Sequence, residues 1–261
     1  MNRAKVLAII EKEIADARKN KMIVISMALL PTLLVVMVLG TAFFMLNSSA
    51  GLDEGDMGII PPELRDMEPM HAFLMMMNDQ YLFYFLLIPM MMPVYIAAYS
   101  IIGEKETKSL EPLLAAPIST WELLVGKSLA AALPAVMLTW FSFIGLIIGG
   151  YFIMPQPVFL AMIRPVWILG MALLSPLLAL LSVFSGVIVS SRMNDPRAAQ
   201  QVTGIFVVPI IAFSLVVLAG KVFLSVPMVL LAAAIVLVLD CLVLYFAVKL
   251  FQRETILTRW K

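Results

Sequence analysis

The segment GEKETKSLEPLLAAPISTWELLVGKS, residues 103–128, is a polar break between two long apolar blocks. It opens with the charged residues of 104–108 and continues with a leucine-rich stretch that ends at Pro117. Ser119, followed three residues later by Glu122, has the pattern of a capping box, which predicts that a helix begins there. That helix is expected to run into the next apolar block. The segment is therefore predicted to be a docking element between two membrane spans.

The composition indicates that the solvent around most of this chain is lipid. Of its 261 residues, 62% are hydrophobic and 13% are charged, and the mean hydropathy is +1.02. Soluble domains have about 25% charged residues. A chain of this size could not bury so much apolar surface in water. The net charge of +1 gives no reason to expect a nucleic-acid partner.

Six apolar blocks are long enough to cross a bilayer as helices. They cover residues 22–46, 81–102, 129–153, 166–190, 202–220 and 222–248. A helix of about 20 residues spans the hydrocarbon region of a membrane. The chain is therefore predicted to be all-α and polytopic, with one transmembrane domain over residues 1–261. A bend at Pro227 leaves a re-entrant hairpin open for the last two blocks.

Residues 3–20 predict an amphipathic helix that lies in the membrane interface. Apolar residues recur at spacings of three and four, and charged residues cover the rest of the helix. The apolar positions are Val6, Leu7, Ile10, Ile14 and Ala17. The alternative is a surface helix of a soluble domain, but no soluble domain follows.

The distribution of lysine and arginine predicts the orientation in the cell membrane. Fifteen of the 18 basic residues lie in the two termini, in residues 103–128 and in residues 192–197. Basic residues are retained on the cytoplasmic side of a membrane. Both termini and residues 103–128 are therefore predicted to be cytoplasmic. The loop of residues 47–80 is predicted to lie outside.

The sequence Gly126-Lys127-Ser128 is similar to the end of a phosphate-binding loop. Such a loop needs a glycine five residues before the Gly-Lys pair, and this position is Trp121. The chain is therefore not expected to bind ATP, and we predict no cofactor or catalytic residue in it. Lys127 is interpreted as an anchor whose side chain reaches the membrane surface.

Two other features could carry chemistry. Asp240 is the one ionisable residue deep in a predicted span, which makes it a candidate functional residue. The alternative is a structural hydrogen bond or a protonated side chain. His71 lies among methionines, a combination that suits Cu(I), but methionine is abundant throughout the chain. Packing by a flexible apolar residue is the favoured interpretation, and no metal site is predicted.

The order of charged residues, leucines, Pro117 and Gly-Lys in residues 104–127 resembles the permeases of type-2 ABC (ATP-binding-cassette) exporters. The pattern is similar to that of the permeases of sodium and drug efflux systems. Residues 3–20 resemble the elbow helix of that family, and residues 190–201 and 251–254 resemble its fourth loop and its C-terminal tail. Lys108 is a departure, because the family usually has glycine there.

The resemblance implies a dimer of six-span subunits, either homodimeric or heterodimeric, above two separate ATPase subunits. ATP and magnesium would bind to those partners and not to this chain. A cytoplasmic coupling helix between spans two and three would dock on them, with leucines as apolar anchors. The expected docking residues are Glu104, Glu106, Leu110, Glu111, Leu113, Leu114 and Pro117. A polytopic membrane enzyme and a membrane scaffold without transport are the alternatives.

Overall fold

The computed structural model describes residues 2–47, 67–107, 118–193, 195–219, 222 and 224–250. These residues form helices, and no strand occurs within these ranges. The helices are α1 (Arg3–Lys19), α2 (Lys21–Asn47), α3 (Pro69–Glu106), α4 (Thr120–Ile153), α5 (Gln156–Met162), α6 (Pro165–Leu169), α7 (Ser175–Arg192), α8 (Pro196–Thr203), α9 (Val208–Leu218) and α10 (Val226–Leu250). A π-helical turn, Gly170–Leu174, joins α6 to α7, and a 3-10 turn, Gly204–Val207, joins α8 to α9.

Within the described part of the chain, six helical stretches are long and apolar enough to cross a membrane. Three of them are α2, α4 and α10, and α3 is the most buried span. The fourth combines α5, α6, the π turn and α7, and the fifth combines α8, the 3-10 turn and α9. The prediction of an all-α protein with six spans is thus confirmed. Because the chain reverses direction after each span, α1 lies at the same end of the bundle as Glu106 and Thr120. We call it the α1 end.

The helix of the second span starts earlier than the predicted span. The predicted second span starts at residue 81, but α3 starts at Pro69, so residues 69–80 of the predicted loop continue this helix. Leu74 in this part is buried against Ala42 and Val158 and so extends the apolar contact of the bundle. Helix α4 starts at Thr120, directly after Ser119, and runs into the third apolar block, which confirms the helix that the capping-box pattern predicts.

The last two apolar blocks form separate helical stretches, each long and apolar enough to cross a membrane. Helix α9 ends at Leu218 and α10 starts at Val226. Pro227 is the second residue of α10. Its missing N–H has no helical acceptor in the first turn, so it starts this helix without bending it.

Helices α3 and α7 form the centre of the bundle, where small residues allow a close approach. A Cβ atom added at Gly186 would lie 3.6 Å from the Cβ of Ala97 and 3.7 Å from the Cα of Val94. A polar contact joins the same two helices, because the Ser182 hydroxyl donates to the Met90 carbonyl at 2.5 Å. Small residues with occasional hydroxyl contacts are typical of helix packing in lipid.

The π turn interrupts the fourth span at a point where three hydrogen bonds meet. Trp140 Nε1 on α4 donates to the Met171 carbonyl at 2.8 Å and to Ser175 Oγ at 3.1 Å, and Ser175 Oγ donates to the same carbonyl. Pro176 cannot supply a backbone donor here. The side chains of Trp140 and Ser175 therefore provide local donors where the helical pattern changes.

A larger side chain at Gly186 should separate α3 from α7. We expect Gly186→Leu to lower the apparent melting temperature of the detergent-solubilised protein, because overpacking costs about 1–3 kcal/mol. Gly145→Leu is the matched control, since a Cβ at Gly145 on α4 meets no atom within 4 Å. Equal melting temperatures of the two variants would contradict this packing.

Candidate functional site: a buried charge network at the α1 end

Helix α1 is defined by its own capping residues. The Asn2 side chain accepts a hydrogen bond from the Ala4 amide at 3.0 Å, which caps the start of the helix. Arg18 and Lys19 lie in its last turn, where positive charge interacts favourably with the helix dipole. The predicted helix over residues 3–20 is therefore present.

The face of α1 that packs on the bundle is rotated from the apolar face that the sequence predicts for the membrane interface. Its buried residues are Val6, Ile9 and Glu13, whereas Leu7, which the prediction placed on the apolar face, is 57% exposed. The helix thus turns an acidic residue towards the protein. Val6 of the predicted apolar face therefore packs on the protein, Leu7 does not, and contact of this face with the membrane stays a prediction.

Gly126 on α4 is the reason for the rotation. A Cβ atom at this position would lie 2.7 Å from Cγ2 and 2.9 Å from Cβ of Ile9, closer than side chains approach one another. The absence of a side chain at Gly126 therefore lets Ile9 seat directly on α4. This contact fixes which side of α1 faces the bundle, and it turns Glu13 towards Lys127.

Lys127 lies between two carboxylates contributed by different helices. Its Nζ is 2.9 Å from Glu13 Oε1 on α1 and 2.8 Å from Glu104 Oε2 on α3. The side chains are almost completely buried, at 5% exposed for Lys127, 5% for Glu13 and 8% for Glu104. The interpretation of Lys127 as an anchor that reaches the membrane surface is therefore wrong.

Lys12 completes a ring of alternating charges. Its Nζ is 3.0 Å from Glu13 Oε1 and 2.7 Å from Glu104 Oε1, and it is 48% exposed. Two ammonium groups thus neutralise two carboxylates, so the cluster of Lys12, Glu13, Glu104 and Lys127 carries no net charge. We call these four residues the charge network.

The network shifts the ionisation of its α1 members towards their charged forms. Burial raises the pKa of Glu13, but the Lys127 ammonium, the Ser100 hydroxyl and Lys12 outweigh it and hold this pKa below its usual value. Burial lowers the pKa of Lys12, but the Glu104 and Glu13 carboxylates outweigh it and raise this pKa above its usual value. Both residues therefore stay charged at neutral pH.

A hydroxyl and a small cavity adjoin the network. Lys127 Nζ donates to Ser100 Oγ on α3 at 2.6 Å. A cavity of about 10 Å³ borders Glu13, Ser100 and Lys127 on one side. Its remaining lining is apolar, from Ile96, Ala97, Ile101, Val183 and Val187. The ammonium group thus donates hydrogen bonds to Glu13 and Ser100, and the Glu104 carboxylate adds an ion pair.

The predicted capping box at the start of α4 is present and also holds α1. The Glu122 amide donates to Ser119 Oγ at 3.2 Å, and Glu122 Oε2 accepts from the Ser119 amide at 2.9 Å. The other oxygen, Oε1, accepts from the backbone amide of Asn2 at 2.6 Å. One carboxylate therefore caps α4 and ties the N-terminal end of α1 to it.

The arrangement joins three helix ends and leaves one segment between them. Helix α3 ends at Glu106, and α4 is capped at Ser119. Residues 108–117, which connect these ends, lie outside the described residues. Glu104, Ser100, Glu122 and Lys127 hold both ends against α1. The network and the Glu122 contact therefore hold in place the two helix ends that residues 108–117 connect.

The predicted docking residues fall into two groups. The Glu104 carboxylate is inside the charge network, and Glu106 is the last residue of α3. The other five lie outside the described residues, namely Leu110, Glu111, Leu113, Leu114 and Pro117. Contact of any of them with a partner stays a prediction. For Glu104, the structure adds an internal role that the sequence did not indicate.

Glu13 and Ser100 are site residues that the sequence analysis did not select. A signal for Glu13 was present, since it lies four residues after Ile9 and next to Ile14, within the apolar repeat. An acid at such a position indicates a buried partner of opposite charge. The buried partner itself, Lys127, lies 114 positions further along the chain, so its identity needs the fold.

Asp240 and His71 lie apart from the network. Asp240 is buried in α10, and within the described ranges neither of its carboxylate oxygens has a hydrogen-bond partner. His71 Nδ1 is 3.5 Å from Glu68, next to the start of α3 at the other end of the bundle. No group of three histidine, cysteine, aspartate or glutamate side chains that could hold a metal occurs among residues with a described position.

The six apolar helical stretches indicate a multi-pass membrane protein. At one end of its bundle, the charge network holds α1, α3 and α4 together. The family model described as "ABC-2 family transporter protein" matches residues 7–248. The chain belongs to this family, which identifies it as a permease component of an ABC transporter and confirms the resemblance found in residues 104–127. A search of curated proteins finds no match.

Removing the central ammonium should destabilise the protein strongly. Lys127→Met leaves Glu13 and Glu104 buried with only the half-exposed Lys12, and an unpaired buried charge costs about 3–5 kcal/mol. The measurement is thermal unfolding in detergent. Lys19→Met is the control, because Lys19 is 78% exposed and its pair with Asp16 contributes within about 1 kcal/mol. Adding Glu13→Gln to Lys127→Met should recover part of the loss.

A methyl group at Gly126 should displace α1. We expect Gly126→Ala to lower the melting temperature and Ile9→Ala in the same chain to restore part of it, because the smaller side chain makes room. Gly103→Ala on α3 is the control, since a Cβ there meets no atom within 4 Å. An additive effect of Gly126→Ala and Ile9→Ala would show that the two residues do not touch.

Proposed function

We propose that this chain is the membrane subunit of an ATP-driven exporter, and that the charge network holds its coupling segment in place. The observation that supports this most strongly is the position of the network. It ties α1 to both helix ends that bracket residues 108–117. A segment that transmits motion to the spans must be joined to helix ends that are held rigidly, because flexible helix ends would bend and the spans would not move.

The α1 end is proposed to be cytoplasmic. Basic residues are concentrated in the termini and loops at this end, and the positive-inside rule places such loops in the cytoplasm. Residues 108–117 would then face the compartment that contains ATP. The elbow function of α1 follows from the same placement, since Leu7 and Ala8 remain exposed beside the charged face and can contact lipid.

ATP hydrolysis is proposed to occur in two separate ATP-binding-cassette subunits. This chain lacks the glycine that a phosphate loop requires, and structural contacts account for two members of its Gly-Lys-Ser sequence. Gly126 admits Ile9, and Lys127 pairs with Glu13 and Glu104. These contacts support a packing role, and not nucleotide binding, for the residues that are similar to the end of a phosphate-binding loop.

Leu110, Leu113 and Leu114 are proposed to insert into a groove of each ATPase subunit. Amphipathic segments bind such grooves through apolar side chains at spacings of three and four. Glu106 precedes these leucines and Glu111 lies between Leu110 and Leu113, and both acids would set the orientation at the rim of the groove. Closure of the ATPase subunits would then move residues 108–117 together with the tied ends of α3 and α4.

A second permease subunit is proposed to pack near the open stripe of α3. This helix is buried on most sides, but a half-buried stripe contains the tyrosines Tyr84, Tyr95 and Tyr99. The exposed stripe of α10 differs, because it is made of leucine, isoleucine and valine at positions such as Leu231, Ile235 and Val238. Hydroxyl groups suit a protein contact or a translocation pathway better than lipid tails.

The experiment is a test of docking with the complete transporter in proteoliposomes. We expect Leu113→Ala with Leu114→Ala to reduce both retention of the ATPase subunits and ATP-dependent export. Leu230→Ala with Leu231→Ala is the matched control, because these leucines are 47% and 63% exposed on α10 and face lipid. Unchanged assembly and export in the first double variant would refute the docking role.

A further inference from the structure

Asp240 is a buried carboxyl group in the middle of a membrane span. It lies ten residues before the end of α10 at Leu250, which is about 15 Å along the helix axis. The residue is 5% exposed, and neither carboxylate oxygen has a hydrogen-bond partner among the residues that the structure describes. It is therefore remote from water, and no polar group in this part of the chain bonds to it to stabilise a charge.

The surroundings of Asp240 are apolar. Val236 and Val243 lie one turn before and after it on the same face of α10, and both pack against the main core of the bundle. This core includes Leu174, Leu178 and Leu181 from the π turn and α7. The neighbouring residue Cys241 is exposed on the outer surface of the helix. Asp240 thus belongs to the packed face and not to the lipid face.

No charged side chain on the packed elements is free to pair with it. The elements in closest contact with α10 are α7, α6, the π turn and α4. The segments α6 and Gly170–Leu174 contain no charged residue, and the one on α7, Arg192, is exposed at the end of that helix. On α4, Lys127 and Glu122 are bound to the α1 end, and Tyr151 lies near the opposite end.

An ionised carboxylate cannot be stable in this position. A charge without a partner in an apolar interior loses its hydration and gains nothing in return, so the group takes up a proton instead. A bound metal ion would need several further oxygen or nitrogen ligands. The residues with a described position contain no group of three acidic, histidine or cysteine side chains that could supply them.

We propose that Asp240 is a proton-binding site inside the membrane, occupied while α10 packs on α7 and released when the two helices separate and admit water. The ligand of the site is a proton, and no other atom is bound or transferred. Binding and packing are linked, because the proton binds more tightly to the packed state than to the hydrated one. The inference does not depend on the docking role of residues 108–117.

This linkage has a direction that can be measured. Below the pH range in which a hydrated aspartate titrates, Asp240 carries the proton in both the packed and the hydrated state. The equilibrium between the two states then does not depend on pH. As the pH rises, the hydrated state loses its proton and gains stability relative to the packed state. The packing of α10 should therefore weaken towards alkaline pH, and Asp240→Asn should abolish this weakening, because its amide is neutral at every pH and of similar size.

The test compares melting temperatures of the wild type and Asp240→Asn in detergent, at constant ionic strength from about pH 3 to about pH 9, because a hydrated aspartate titrates at about pH 4. Equal values at acidic pH, with the wild type falling below the variant as the pH rises, support the proposal. Cys241→Ser is the matched control, because this neighbouring side chain faces outward, and it should follow the wild type. A variant that is less stable than the wild type at every pH, or fails to fold at acidic pH, would show that Asp240 is charged and paired.

Two further measurements separate the proton from other ligands. Infrared spectroscopy of the folded wild type at neutral pH should contain a carbonyl stretch of a protonated carboxylic acid that Asp240→Asn lacks. Its absence would overturn the proposal. If the difference in melting temperature between the two proteins changes with sodium concentration at constant pH, the site binds a metal cation, and the proposal is again wrong.

Discussion

The Lys127 ammonium, placed between the carboxylates of Glu13 and Glu104, is the interaction on which the α1 end of this protein depends. Burial of each charge alone would be strongly unfavourable, and each is tolerated because the others are present. Replacing a whole buried charge network by apolar residues often leaves the free energy of unfolding unchanged, so stability alone does not explain the network. We infer that the network selects one arrangement of α1, α3 and α4, because charges must meet their partners whereas apolar contacts would permit several arrangements.

A specific arrangement matters at this position because the ends of α3 and α4 bracket residues 108–117. Gly126 sets the rotation of α1 through its contact with Ile9, and this rotation presents Glu13 to Lys127. Glu122 ties the beginning of α1 to the cap of α4. The three contacts lie along one face of α1 and restrain its position and its rotation. In the proposed transporter, these contacts ensure that a displacement of residues 108–117 also displaces α3 and α4, and not the connecting segment alone.

Sequence reasoning predicted the features that local physics determines. Six apolar runs gave six spans, because helix length and lipid thickness are matched, and Ser119 with Glu122 gave the start of α4. It missed what depends on distant residues. Lys127 near a span end suggests a side chain that reaches water, and only the fold shows Glu13, 114 positions earlier, beside it. The π turn at Gly170–Leu174 was not predictable either, since Trp140 supports it from another helix.

The central claim is that the charge network keeps the base of residues 108–117 rigid. The most direct measurement is the distance distribution between spin labels at Ala15→Cys on the exposed side of α1 and at Thr107→Cys, in a chain with Cys241→Ser. The account predicts a narrow distribution in the intact network and a broad one after Lys127→Met. Identical narrow distributions in both proteins would contradict it, because α1 and the end of α3 would then be held together without the network.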